Sequence, residues 1–228
     1  MVDQQKLHDG LLRFDGFFAF GTNDHAVGDR CRAGRHRLGH LFDVHQAHAA
    51  VRSDAQLELA SGWQSFDHIV NVAGPWSQQL LKQSGLPQQP LDLVRGSHLL
   101  LPPTGAYGHM LEVPGERRIV FALPYQQQCL LGTTEVRQQL DEPVQCSPAE
   151  RDYLLDVYAH YFTPAVAPAQ LLGSFAGVRP LLAGSADASR ASREYQFHWQ
   201  GNILTVSGGK WTTARALGQQ LAAVVNRR

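Results

Sequence analysis

HIVNVAGPWSQQLLKQSG, residues 68–85, is the stretch whose reading decides the fold. HIVNVA is a nearly continuous apolar run, and such a run suits a strand buried on both faces, as in a parallel sheet. The chain then meets Gly74, and Pro75 falls at an early helical position, where a missing N–H costs nothing. Gly85 closes the helix. Upstream, LELASGWQSFD places a polar turn at Ser61 and Gly62 before the strand. Strand, glycine corner and helix in succession point to a mixed α/β protein.

A second corner of the same kind lies at residues 201–221, GNILTVSGGKWTTARALGQQL. Gly201 and Asn202 make a turn, Ile203 to Val206 a short apolar strand, and Gly208–Gly209 a break. Beyond it Ala214, Leu217, Leu221, Val224 and Val225 recur at helical spacing, with Thr212 or Thr213 as N-cap. A helix start preceded by glycine presents unpaired N–H groups and the positive dipole end, which suits an anionic or electron-rich ligand. Ordinary turn chemistry uses the same residues, and this segment alone leaves both readings open.

Between the two corners the pattern changes. From about residue 92, VRGSHLLLP and RRIVFALPYQQQCLLGTTEV are β-rich runs joined by short turns, an antiparallel sheet. CSPAERDYLLDVYAHYF is the clearest helix: Ser147 is its N-cap, Pro148 its first-turn proline and Glu150 its capping-box acid. Its apolar stripe of Tyr153, Leu154, Val157, Tyr158, Tyr161 and Phe162 is assigned to core packing.

The chain has 228 residues, 43% hydrophobic and 18% charged, which allows one to two globular domains with a substantial core. A formal net charge of zero removes the electrostatic argument for a nucleic-acid partner. Cys31, Cys129 and Cys146 form no CxxC or metal spacing, and their odd number suits a reducing compartment. With no signal-peptide core and no apolar stretch near ~20 residues, the expectation is a cytoplasmic protein without a transmembrane segment, peripheral contact with the inner face of a membrane remaining open. Residues 1–50 are rich in histidine; the pairs His36/His40 and His45/His48 share helical spacing, but no carboxylate or cysteine completes a metal site, and the segment reads as solvated.

Six stretches, taken in order, resemble the FAD-dependent glycerol-3-phosphate dehydrogenase family, within the D-amino-acid-oxidase-like flavoproteins. They are NVAGPW (71–76), RGSHLLLP (95–102), LLGTTEV (130–136), SFAGVRPL (174–181), SREY (192–195) and LTVSGGKWTT (204–213). The resemblance implies an α/β fold: a partial, doubly wound FAD-binding domain over residues 1–85 and 173–228, and a substrate domain over 86–172 built on a mixed, largely antiparallel sheet. It implies flavin contacts at Gly208, Gly209, Lys210, Trp211 and Thr212, and nucleotide contacts at Ala73, Gly74 and Trp76. For catalysis it implies His98 to polarise or deprotonate the substrate hydroxyl, with Arg179, Arg193 and Lys210 toward a small anionic substrate, glycerol 3-phosphate, and a quinone-type electron acceptor. A phosphate dianion leaving water needs such guanidinium and ammonium partners. LLGTTEV contributes Thr133 or Thr134 to the site, or strand propensity only.

The sequence departs from the family in two places. The family's opening strand, GxGxxG turn and helix have no counterpart: GDRCRAGRHRLG has glycines, but no apolar strand is read before it. The expectation is therefore a shortened chain with an exposed edge on HIVNVA, a C-terminal helix short of packing partners, and little FAD binding or activity of its own. Arg95 stands where lysine is common, which adds bidentate geometry and points to altered substrate details. An amino acid or 2-hydroxy acid is the alternative substrate, and a non-catalytic fragment or interaction module the alternative from another class.

Overall fold

The structure is a computed structural model and describes residues 16–21, 38–43, 50–59, 62–183 and 194–227. The chain forms two compact units, one from residues 1–91, 180–183 and 192–228, the other from 92–179 and 184–191.

The first unit is built on a five-stranded sheet. Its strands are β1 (Gly16–Gly21), β2 (Leu38–Asp43), β6 (His68–Val72), β13 (Tyr195–Gln200) and β14 (Ile203–Gly208), in the order β13-β14-β6-β1-β2. β14 and β6 are parallel, with Ile203 opposite Ile69 and Leu204 opposite Val70. Successive side chains alternate between faces. Ile69 and Ile203 pack with Leu57 and Leu80 on one side, while Val70, Leu204 and Val206 pack with Val225 on the other. Leu80 and Leu81 are the buried face of α1 (Ser77–Gln83), which follows β6 through a 3-10 turn at Gly74–Trp76. Each such buried aliphatic side chain contributes about 1.5–3 kcal/mol. A small three-stranded sheet of β3 (Val51–Arg52), β4 (Gln56–Leu59) and β5 (Gly62–Ser65) completes this unit. Gly62, at φ +101°, opens β5; Ser61 lies outside the described residues.

Two expectations for the N-terminal region are corrected. GFFAFG and LGHLFD are strands, so an apolar strand does precede GDRCRAGRHRLG. β1 runs antiparallel along β6, Phe18 opposite Val70, and the edge expected to be open on HIVNVA is therefore paired. The physical reason is the unpaired N–H and C=O row of an edge strand, which a six-residue apolar run satisfies. His36, His45 and His48 lie outside the described residues.

The second unit is a six-stranded sheet of β7 (Leu91–Leu101), β8 (His109–Glu112), β9 (Ile119–Tyr125), β10 (Gln128–Gly132), β11 (Val136–Arg137) and β12 (Gly173–Leu182). β7 pairs antiparallel with β10 and β11, and β8, β9 and β10 pair antiparallel in turn. α2 (Pro148–Tyr161) covers one face: Leu154, Leu155, Val157 and Tyr158 pack on Leu99, Leu101, Val120, Ala122 and Leu131. The capping box expected from Ser147 and Glu150 is formed. Tyr161 departs from the expected core stripe; it is 46% exposed in the last turn, where its hydroxyl donates to the Glu112 carbonyl at 2.6 Å.

The face away from α2 carries the residues of alternate parity. Along one cross-strand row His98 stands opposite Gly132, Gly132 opposite Phe121, and Phe121 opposite Met110. Ile119, Phe121, Leu123 and Met110 on this face are exposed.

Candidate functional site

The centre of the second unit is a bulge. Between the His98–Gly132 and Arg95–Val136 pairs, Thr133, Thr134 and Glu135 stand opposite only Gly96 and Ser97. An extra residue in one strand re-aims its side chains. Thr134 turns toward the core: it is buried, its hydroxyl donates to Glu150 Oε1 at 2.6 Å and accepts from the Ser97 N–H at 2.9 Å. Thr133 goes the other way, and its Oγ1 accepts a hydrogen bond from Arg179 Nη2 at 3.0 Å. Of the two threonines left open by sequence, Thr133 is thus the one on the face of His98.

His98 is held flat. Its ring stacks on Phe175 with centroids 5.0 Å apart and planes 11° apart. On the other strand, a Cβ added to Gly132 would lie 2.3 Å from His98 Cδ2, so only glycine leaves this space. Burial, aided by the positive charge of Arg179, lowers the imidazole from 6.5 to about 4, so it is neutral at pH 7. Its buried Nδ1 has no hydrogen-bond partner among the described residues. A buried polar atom without a partner is expensive, and a ligand group is one way to satisfy it.

Arg179 reaches this face from β12, two strand repeats along from Phe175. A Cβ on Gly96 would lie 2.3 Å from its Nη2, so the guanidinium occupies the volume that a side chain at position 96 would fill. Glu135 stands 3.6 Å from both Arg179 and Arg118, and Arg118 donates to the Thr133 carbonyl at 3.0 Å. Arg118 and Glu135 were not singled out from the sequence, and RRIVF offers no local signal beyond two charges before a strand.

The expectation attached to Arg95 is corrected. Arg95 is three residues from His98, an odd separation, so it lies on the opposite face. There it pairs with Glu150 at 2.9 Å and donates to Gln138 at 3.1 Å. Burial opposes the charge on Glu150, but hydrogen bonds from the Thr134 hydroxyl, the Ser147 N–H and hydroxyl, and the Ser97 hydroxyl outweigh it and bring its pKa from 4.5 down to about 2.

The first unit contributes two glycine corners. At the end of β14, Gly208 and Gly209 have φ of +78° and +94°, a region that L side chains rarely enter. A Cβ on Gly208 would lie 2.2 Å from the Glu194 carbonyl oxygen. A 3-10 turn, Trp211–Thr213, then leads into α3 (Ala214–Asn226), whose Leu217, Leu221 and Val224 pack against the sheet while Ala214 is exposed. Thr213 stands at the N-cap position but makes no side-chain cap; its hydroxyl donates back to the Lys210 carbonyl at 3.1 Å. Lys210 and Thr212 are exposed. At the end of β6, Gly74 has φ +54° and open space where a Cβ would lie. Ala73 is fully buried and Trp76 half-buried. Asn71, also missed from sequence, braces this corner: its Nδ2 donates to the Ser77 carbonyl at 3.1 Å and its Oδ1 accepts from the Ala73 N–H at 3.2 Å.

The structure thus brings together His98, Arg179 and Thr133 in one unit, and Gly208 to Thr212 at a helix start in the other. Arg193 lies outside the described residues. Backbone bared by glycine at a strand-to-helix corner suits close approach of a flat, electron-rich ring, and the residues present fit a flavin there. Among the described residues no three of His, Cys, Asp and Glu gather as for a metal ion, and no helix is long and apolar enough to cross a membrane.

A mixed five-stranded sheet, parallel only between β14 and β6 and so not the doubly wound sheet expected, carries glycine corners and is joined in sequence to a largely antiparallel sheet bearing an imidazole and a guanidinium; together they fit a flavin-dependent oxidoreductase. Residues 31–224 match the model of the FAD dependent oxidoreductase family, and the chain belongs to that family, whose cofactor is FAD. It is 37% identical over 163 residues to the glycerol-3-phosphate dehydrogenase of Pseudomonas aeruginosa, covering 66% of this chain and 32% of the relative. It is 32% identical over 163 residues to the D-erythritol 1-phosphate dehydrogenase of Brucella abortus, covering 67% and 32%. Among solved structures, glycerol-3-phosphate dehydrogenase from Bacillus halodurans complexed with FAD superposes with a TM-score of 0.60 at 24% identity, over 69% of this chain and 31% of that one, which shows a shared fold. The chain spans about a third of the length of the curated relatives it matches.

Proposed function

We propose that this chain is the part of an FAD-dependent dehydrogenase of phosphorylated polyols that carries the substrate-binding sheet and the flavin-side corner, with sn-glycerol 3-phosphate oxidised to dihydroxyacetone phosphate. The observation that carries this reading is a guanidinium and a neutral imidazole on one sheet face, Arg179 braced by Thr133 and His98 clamped between Gly132 and Phe175. Bound FAD supplies the hydride acceptor. The chain's own residues then do three things. Arg179 balances the charge of the phosphate. His98, neutral at pH 7, takes the hydroxyl proton as the carbon gives up its hydride. Gly208 and Gly209 keep the backbone bare beside the ring, with Trp211, Thr212, Ala73, Gly74 and Trp76 as the further FAD contacts. Electrons leave for a quinone-type acceptor, and the chain by itself binds FAD weakly or not at all and is inactive.

Calorimetry on the purified chain with glycerol 3-phosphate, glycerol and D-lactate tests the substrate class. Binding of the phosphate ester alone, lost in R179M, supports the reading. Equal or better binding of the carboxylate transfers the site to a 2-hydroxy or amino acid. The flavin absorbance of the purified chain and its glycerol-3-phosphate-dependent dye reduction test inactivity separately.

A further inference from the structure

Residues from three other segments set where the Arg179 guanidinium lies. Nη2 donates to Thr133 Oγ1 at 3.0 Å, and Nη1 stands 3.6 Å from Glu135 Oε1. The other oxygen of Glu135, Oε2, stands 3.6 Å from Arg118 Nε. Arg118 in turn donates through Nη2 to the Thr133 carbonyl and through Nη1 to the Tyr153 hydroxyl, at 3.0 and 3.1 Å, and Tyr153 donates to Glu116 at 3.1 Å. Two nitrogens of Arg179 are therefore gripped by groups that a second arginine holds from behind. The side chain of Arg179 is 30% exposed and that of Glu135 12%, so the guanidinium is partly exposed while its carboxylate partner is covered.

We infer that Glu135, anchored by Arg118, is a positioning residue that fixes the Arg179 guanidinium beside Thr133 and His98 for an anionic substrate group. The inference rests on Arg179 as the anion receptor. In this arrangement Glu135 meets no substrate; its work is to orient the cation that does. Charge alone makes the opposite claim, because a carboxylate beside the receptor repels an anion and its removal would tighten binding. The sign of the effect therefore separates orientation from simple field.

The test uses the purified chain with inorganic phosphate and glycerol 3-phosphate as calorimetric probes, comparing E135Q, E135D, R118Q and R179M. Orientation predicts about tenfold weaker binding of both anions in E135Q, near-recovery in E135D and a smaller loss of the same sign in R118Q. Tighter or unchanged binding in E135Q, with binding lost in R179M, overturns the positioning role and leaves the anion site standing. Unchanged binding in R179M overturns both. A second readout needs no ligand: the ring-proton NMR titration of His98. Release of Arg179 in E135Q raises its midpoint from about 4 toward 6.5, whereas loss of the Glu135 charge with Arg179 still in place lowers it, which contradicts the inference.

Discussion

Thr133 and Thr134 are neighbours in sequence and point to opposite faces of the sheet, Thr133 Oγ1 accepting from Arg179 and Thr134 Oγ1 donating to Glu150. The bulge opposite Gly96 and Ser97 makes this division, and it separates the effects of two conservative substitutions. T134V strips buried Glu150 and the Ser97 N–H of a partner and is expected to cost about 1–3 kcal/mol in urea unfolding. T133V is expected to leave stability within about 0.5 kcal/mol while weakening anion binding. Equal stability losses in the two would contradict the assignment.

His98 yields a titration. Its folded value lies below 6.5, so between 6.5 and about 4 the unfolded chain binds the extra proton. The stability His98 contributes is complete above 6.5 and is lost as pH falls to about 4. NMR of the ring protons should show a midpoint near the lower value, and an ordinary midpoint near 6.5 would refute the buried, Arg179-facing placement. In a form of the protein that turns over, H98N is expected to lower kcat roughly 10²- to 10⁴-fold with little change in fold, measured by steady-state kinetics and circular dichroism.

Glu150 ties a sheet to the start of a helix and should behave as a stability element. Its folded pKa lies below 4.5, so its contribution is complete above 4.5 and is lost as pH falls toward about 2. E150A leaves Arg95 buried beside an empty place and is expected to cost roughly 3–5 kcal/mol at pH 7. Denaturant unfolding of both proteins from pH 7 to pH 2 should show the difference shrinking with acid.

The glycines offer a contrast between site and scaffold. G96A is expected to push aside both the flexible end of Arg179 and the hydroxyl of Thr133, and so to weaken phosphate binding. G208A meets a backbone carbonyl at a positive φ and is expected to cost more than about 1 kcal/mol in thermal unfolding. If G96A left phosphate binding untouched, Gly96 would be no part of the site.

What could be read from the chain was what its local chemistry determines. The box of Ser147 and Glu150 spans three residues, and the β6 corner needs only an apolar run, Gly74 and Pro75; both formed as expected. Arg95 was misread although strand parity already separated it from His98. The Glu135–Arg118 brace was hidden because it joins residues 17 apart across a bulge, which strand periodicity does not encode. β1 was missed because GFFAFG is too short a run for its period to show. The order of the six motifs brought the family within reach, while the partners of each side chain required coordinates.

The parallel pairing of Ile203–Thr205 with Ile69–Asn71 has a consequence for biosynthesis. On the ribosome, residues 92–179 emerge as one uninterrupted piece and can collapse on themselves, whereas β6 must wait for a strand more than a hundred residues downstream. Until β14 is translated, the His68–Val72 strand has β1 along one edge only, and the edge that β14 later takes stays open to other nascent strands on the polysome.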